Sequence, residues 1–187
     1  HFENPNFSYF DGLVLFCMLR AVKPERVIEI GSGYSSCVTL DTNELFFQDE
    51  IECTFIEPYP ELLLSLIKER DHVNARFVFC NLQDTDPTLF DELKPNDFLF
   101  IDSTHVCKTG SDVNYELFTI LPRLSEGVYI HFHDIFYPFE YPPSWVYEGR
   151  AWNENYLLRA FLQNNPYYQI QFWNSYLATF HREKIEK

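Results

Sequence analysis

The strongest constraint on this chain is the run Arg26-Val27-Ile28-Glu29-Ile30 broken at once by Gly31-Ser32-Gly33. A short β-branched stretch reads as a buried strand, and glycines directly after it permit a tight turn. The following segment, Ser35 to Phe47, has helical spacing. A strand, a glycine turn and a helix in that order open a crossover unit, which requires a parallel sheet. The turn also brings backbone N–H groups to the start of a helix, where they can meet a bound ligand.

The rest of the chain repeats the alternation. Residues 8–22 predict a helix with one broad apolar face, ended by Pro24. Strands are expected at Ile51–Ile56, Ala75–Cys80, Asp97–Ile101 and Gly127–His133, and a sixth at Tyr168–Tyr176. Helices are expected at Pro60–Arg70, from Ser111 to Leu121, and at Trp152–Leu162. Because the strands are continuous apolar runs, both sheet faces should be covered. The fold class is therefore α/β, Rossmann-like: a mostly parallel twisted sheet with helices on both faces. At 187 residues the chain fits a single domain. Within it, 1–24 is an N-terminal helical segment and 26–135 a ligand-binding core. Residues 136–187 supply a Pro- and aromatic-rich loop at 136–147, a helix and a last strand.

Charge excludes some partners. With 28 acidic against 14 basic residues the net charge is −14, so no general nucleic-acid face and no docking on an anionic membrane are expected. The expected partner is a small molecule. The five cysteines, Cys17, Cys37, Cys53, Cys80 and Cys107, lack C-x-x-C spacing and read as small buried thiols in a reducing compartment. With no signal peptide and no membrane-length apolar run, a cytoplasmic setting follows. The first residue is His1, so the natural N-terminus is expected to be missing.

Two acids frame the glycine turn. Glu57 ends the second strand, where a carboxylate can accept both hydroxyls of a ribose. Nicotinamide dinucleotides and S-adenosylmethionine both carry a ribose there, so Glu57 does not choose between them. Glu29 does. A carboxylate beside the turn repels a pyrophosphate but suits a sulfonium and an ammonium, either directly or by fixing the loop.

Glu29-x-Gly31-x-Gly33, Glu57, Asp102 and His133-Asp134 together resemble class I S-adenosylmethionine-dependent methyltransferases. Within that group the chain is most similar to bacterial small-molecule enzymes whose relatives include macrocin-type sugar O-methyltransferases. The most specific stretch runs from Ile101-Asp102-Ser103-Thr104-His105 through Leu121-Pro122-Arg123-Leu124 and Gly127 to His133-Asp134. The resemblance covers residues 26 to 135 well and is weak beyond. It implies that Gly31, Ser32, Gly33 and Ser35 line the methionine part of the cofactor. Glu57 would hold the ribose, Gln83 or Asp84 would flank the adenine, and Asp102 would sit beside the amino end. There are two departures. Ser35 replaces a third glycine, and only the first strand of a terminal antiparallel pair is expected.

Asp102, His105, His133 and Asp134 fall at the carboxyl ends of strands, where such sheets bind ligands. Two readings are open. His105 or His133 acts as general base on an acceptor hydroxyl, or Asp102, His133 and Asp134 bind a divalent metal that holds the acceptor. The acceptor implied is a small hydroxylated molecule, such as a sugar or a natural-product intermediate. The aromatic loop either closes over it, packs on the sheet edge or forms a homodimer contact. Tyr9 and Asp11 stand near enough in sequence pattern to border the site. An NAD(P)-dependent oxidoreductase and a non-catalytic binding domain are the rival functions.

Overall fold

The computed structural model describes residues 4–185. Its sheet has five strands, β1 (Arg26–Ile30), β2 (Glu52–Ile56), β3 (Ala75–Val78), β4 (Phe98–Ile101) and β5 (Tyr129–Phe132), in the order β3-β2-β1-β4-β5. Every pairing is parallel, with Ile28 opposite Thr54 on one side and Leu99 on the other. Strand residues alternate between faces, and the core divides accordingly. Val27, Phe55, Phe98 and Phe100 point to one side and pack with Leu15, Leu19 and Leu40 from helices α1 (Tyr9–Val22) and α2 (Tyr34–Phe47). Ile28, Ile30, Ile56, Leu99 and Ile101 point to the other and meet Leu89, Phe90, Leu93 and Ile120. Glu29 shares the alternation of Val27, so its side chain is carried to the α1–α2 face and is fully buried.

Local chemistry sets the helix ends. Ser8 caps α1 by accepting from the Asp11 amide, and Lys23 closes it in a left-handed turn ahead of Pro24. The helix expected over 60–70 stops early. After α3 (Glu61–Leu66), Ile67 is extended and the Lys68 amide donates to Asp71 Oδ2 at 2.7 Å, which opens the separate turn α4 (Asp71–Asn74). Lys68 and Arg70 turn outward to Asp41, Glu44 and Asp49. Ser111 caps α5 (Asp112–Tyr115), which widens into a π turn over Glu116–Ile120.

The last third differs from expectation. Part of the expected loop is helical, α6 (Pro143–Tyr147), and α7 (Glu154–Leu162) follows. The segment 168–173 is irregular, and the expected sixth strand gives way to helix α8 (Asn174–Phe180). The sheet among the described residues is therefore wholly parallel. Trp173, Tyr176 and Phe180 recur at helical spacing and all place ring edges against Tyr137. Backbone groups here bond to side chains instead of a ladder: the Trp173 indole donates to Ile135 O at 2.7 Å and the Tyr168 hydroxyl to Leu121 O at 3.1 Å. All five cysteines are free, but Cys53 alone is buried and Cys17 is exposed, so the uniformly buried thiols expected from sequence are not found.

Candidate active site at the strand ends

The parallel ladder continues one residue past β1, β2, β4 and β5. Gly31 N donates to Ile56 O, Glu57 N to Val78 O, Asp102 N to Ile30 O and His133 N to Ile101 O, at 2.8–3.1 Å. These bonds bring Gly31, Glu57, Asp102 and His133 to one end of the sheet. The strand order changes direction between β1 and β4, which is where open α/β sheets form a ligand crevice. Gly31 takes a φ of +75°, and a Cβ there would lie 1.8 Å from Asp102 O. Only glycine fits a backbone so close to its neighbour.

Side chains then fix the turn. Glu29 Oε1 accepts from Ser35 Oγ at 2.8 Å and Ser36 Oγ at 2.6 Å, and Ser36 Oγ accepts from Gly33 N at 2.9 Å. Glu29 thus holds the loop through two serines, and its Oε2 is buried without a partner. Burial pushes its carboxyl up to about 8 despite those two hydrogen bonds. Glu57 Oε2 accepts from Ser32 N at 2.9 Å and Oε1 from Tyr59 N at 2.8 Å. Each carboxylate oxygen keeps a lone pair for a further donor such as a hydroxyl. Gln83 and Asp84 lie on the turn after β3; Gln83 donates to Gly110 O and Asp84 accepts from Asn81. Ser36 was not singled out in the sequence, although its position one residue after Ser35 on the same helical turn is a usable signal.

The β4 end carries a second polar cluster. His105 is buried, with Nε2 3.3 Å from Asp102 Oδ1 and Nδ1 2.7 Å from Glu154 Oε2. Burial opposes its charge, but the two carboxylates outweigh it and raise the imidazole to about 10. Both ring nitrogens are engaged, so His105 takes a proton from an acceptor only by giving up one of these bonds. Burial acts to raise Asp102, yet the bond to His105 and the nearby imidazoles hold it below the usual carboxylate range. Near Glu154, Glu116 is also fully buried, and burial together with the neighbouring Glu154 drives its carboxyl well up. No local sequence pattern marks Glu154 or Glu116 as part of the site.

At the β5 end, His133 is buried, with Nε2 3.6 Å from Asp134 Oδ1. Asp134 has a φ of +54°, and burial raises its carboxyl against the opposing pull of His133 and His105. His131 stacks on Phe100 at 4.4 Å, and burial together with His133 lowers it to about 4, so it is neutral. Asp11, His131, His133, Asp134, Phe136 and Trp173 line a groove of about 1100 Å3 along this edge. Asp11 is anchored by Asn174 and Ser8, whereas Tyr9 is exposed and outside the lining. Phe136 and Phe139 of the aromatic loop face the groove, while the Tyr141 hydroxyl accepts from Asn155 N and its ring packs on Trp152. Among the described residues no three His, Cys, Asp or Glu side chains converge to hold a metal ion.

The arrangement of turn, acids and strand ends coincides with a known family model, described as a methyltransferase domain, which matches residues 28–135. The chain belongs to that methyltransferase domain family. An uncharacterized protein of Archaeoglobus fulgidus is 37% identical over 96 residues, half of this chain and 42% of that protein. This chain therefore spans less than half the length of that relative. Among solved structures it is similar to the S-adenosylhomocysteine-bound methyltransferase PaMTH1 of Podospora anserina, with a TM-score of 0.56 at 20% identity over 83% of this chain and 69% of that one. It is also similar to a CmcI structure described as Mg-SAM, with a TM-score of 0.50 at 16% identity over 83% of this chain and 60% of that one. Both likenesses establish a shared fold. No helix among the described residues is long and apolar enough to cross a membrane.

Proposed function

We propose that this domain binds S-adenosylmethionine across the ends of β1, β2 and β4 and transfers its methyl group to an oxygen of a small hydroxylated acceptor, such as a sugar or natural-product intermediate. The observation that carries the reading is the register of Gly31, Glu57 and Asp102 at one sheet end, with the buried Glu29 fixing the turn through two serines. Gly31, Ser32, Gly33 and Ser35 face the methionine part, Glu57 takes the ribose, Gln83 and Asp84 flank the adenine, and Asp102 meets the ammonium. The cofactor supplies an electrophilic methyl group when bound. The protein's part is to align an acceptor oxygen behind it, and to take its proton. Asp134, a carboxyl made more basic by burial, and His133 beside it stand at the groove for that purpose. Asp102, His133 and Asp134 do not converge as a metal site in this arrangement. The five free thiols suit a cytoplasmic setting.

Calorimetry tests the cofactor. S-adenosylhomocysteine should bind and NAD(H) should not; the reverse, or no binding of the former, overturns the reading. Glu57→Ala should weaken S-adenosylhomocysteine binding about tenfold or more, about 1.4 kcal/mol. Radiolabelled methyl transfer to a panel of sugars and phenols then tests the acceptor class.

A further inference from the structure

Residues 102–107 follow β4 without regular structure, and His105 within them holds a φ of +59°, a conformation side chains rarely adopt. Such a turn persists only if its surroundings over-determine it. Besides Asp102 and the Asp112 side chain that holds Thr104, what surrounds it is one short stretch at the start of α7. Asn153 N and Glu154 N both donate to His105 O, at 3.0 and 3.2 Å. The Asn153 side chain brackets Cys107, accepting from its N at 2.6 Å and donating to its O at 3.1 Å. Trp152 lies against the His105 ring at 4.2 Å. Glu154 completes the hold by accepting from Nδ1.

We propose that Glu154 is a positioning residue of the methyl-transfer site: it fixes the His105 ring, and through that ring the Asp102 carboxylate, where Asp102 meets the amino end of the cofactor. The inference rests on the cofactor reading above. A carboxylate 1% exposed is costly to keep, and Glu154 contributes one oxygen to His105 while its other oxygen has no partner. Packing alone would favour an apolar side chain at that place. The geometry gives the acid a use: with Nδ1 committed to Glu154, the ring plane is set and Nε2 is aimed at Asp102. An imidazole oriented by one carboxylate and presented to a working group by its far nitrogen is the same positioning logic that enzymes use around metals and nucleophiles. Here the oriented group is a second carboxylate.

The test is a double-substitution cycle read by calorimetry with S-adenosylhomocysteine, using Glu154→Gln and Asp102→Ala singly and together. Glu154→Gln should weaken binding about fivefold in the parent chain and less than about twofold when Asp102 is already Ala. Equal weakening in both backgrounds, or none in a variant of unchanged melting temperature, overturns the proposal. If Glu154→Gln does not fold, His105→Gln removes the intermediary and is read in the same cycle: weakening that vanishes in the Asp102→Ala background supports the proposal, and equal weakening overturns it. An independent readout needs no ligand. The His105 ring N–H proton, far downfield because it points at a buried carboxylate, should move upfield in Glu154→Gln, and a resonance that stays in place refutes the hold. Loss of S-adenosylhomocysteine binding by the unsubstituted chain would instead fall on the cofactor assignment.

Discussion

Between Gly31 and His133 the strand ends that carry the site are aligned by backbone. Each strand end is tied to its neighbour by an N–H···O bond that belongs to the sheet ladder, and the turn closes on a carbonyl with no room for a methyl group. Between Phe136 and Phe180 the polypeptide is held by side chains. Rings of Tyr137, Trp173, Tyr176 and Phe180 meet edge to face, and single side-chain bonds tie the segment to Ile135 and Leu121. A ladder is cooperative, so one misfit displaces everything aligned with it. Ring contacts contribute about 0.5–1.5 kcal/mol each and are shared out, so one loss is tolerated. On the proposed reading the cofactor side is thus built for a fixed ligand, and substitutions on the proposed acceptor side should leave the sheet folded.

Substitutions can break this contrast. Gly31→Ala should have the largest effect, because it combines a φ of +75° with contact on Asp102 O. It should remove most of a margin that is typically about 5–15 kcal/mol, seen as a collapsed melting temperature and loss of S-adenosylhomocysteine binding. A stable, binding variant would show that the turn is looser than the ladder implies. Next is Glu29→Gln. Glu29 titrates near its ordinary value of 4.5 when unfolded and at about 8 when folded, so the folded state keeps a proton that the unfolded chain releases. Stability therefore falls as pH rises through that window and levels off above it. Relative to Glu29→Gln, the parent chain should lose on the order of 3 kcal/mol between about pH 5 and pH 8 in urea titrations. Parallel curves would mean that Glu29 is not isolated from water. The smallest effect is expected on the acceptor side. Trp173→Phe deletes the indole donor to Ile135 O, and about 1 kcal/mol of urea stability should go with it. Cofactor affinity should hold within about twofold; a larger drop would show that the two sides are coupled.

The same contrast governs what the sequence could reveal. β1, its glycine turn, Glu57 and the strands leading to Asp102 and His133 were legible because local pattern and ladder geometry agree: apolar runs, punctuated by residues that only a turn requires. Tyr168–Tyr176 misled because its alternation of polar and apolar residues suits a strand, while Trp173, Tyr176 and Phe180 obey a helical period that begins later. The helix expected over 60–70 ran on because nothing local announces that Asp71 will capture the Lys68 amide. Glu154 was invisible for another reason. Its partner His105 lies 49 residues away, and a lone acid at a helix start reads as a favourable, solvated N-terminal charge. Only the packing of α7 against the β4 loop turns that charge inward.

The contact between Gly31 and Asp102 has one more consequence. With a carbonyl occupying the space where a side chain would sit, the β1 turn and the β4 loop cannot breathe separately. They form one mechanical part with two faces, one toward the proposed donor site and one toward His105. A ligand that orders the turn is therefore expected to order the β4 loop with it.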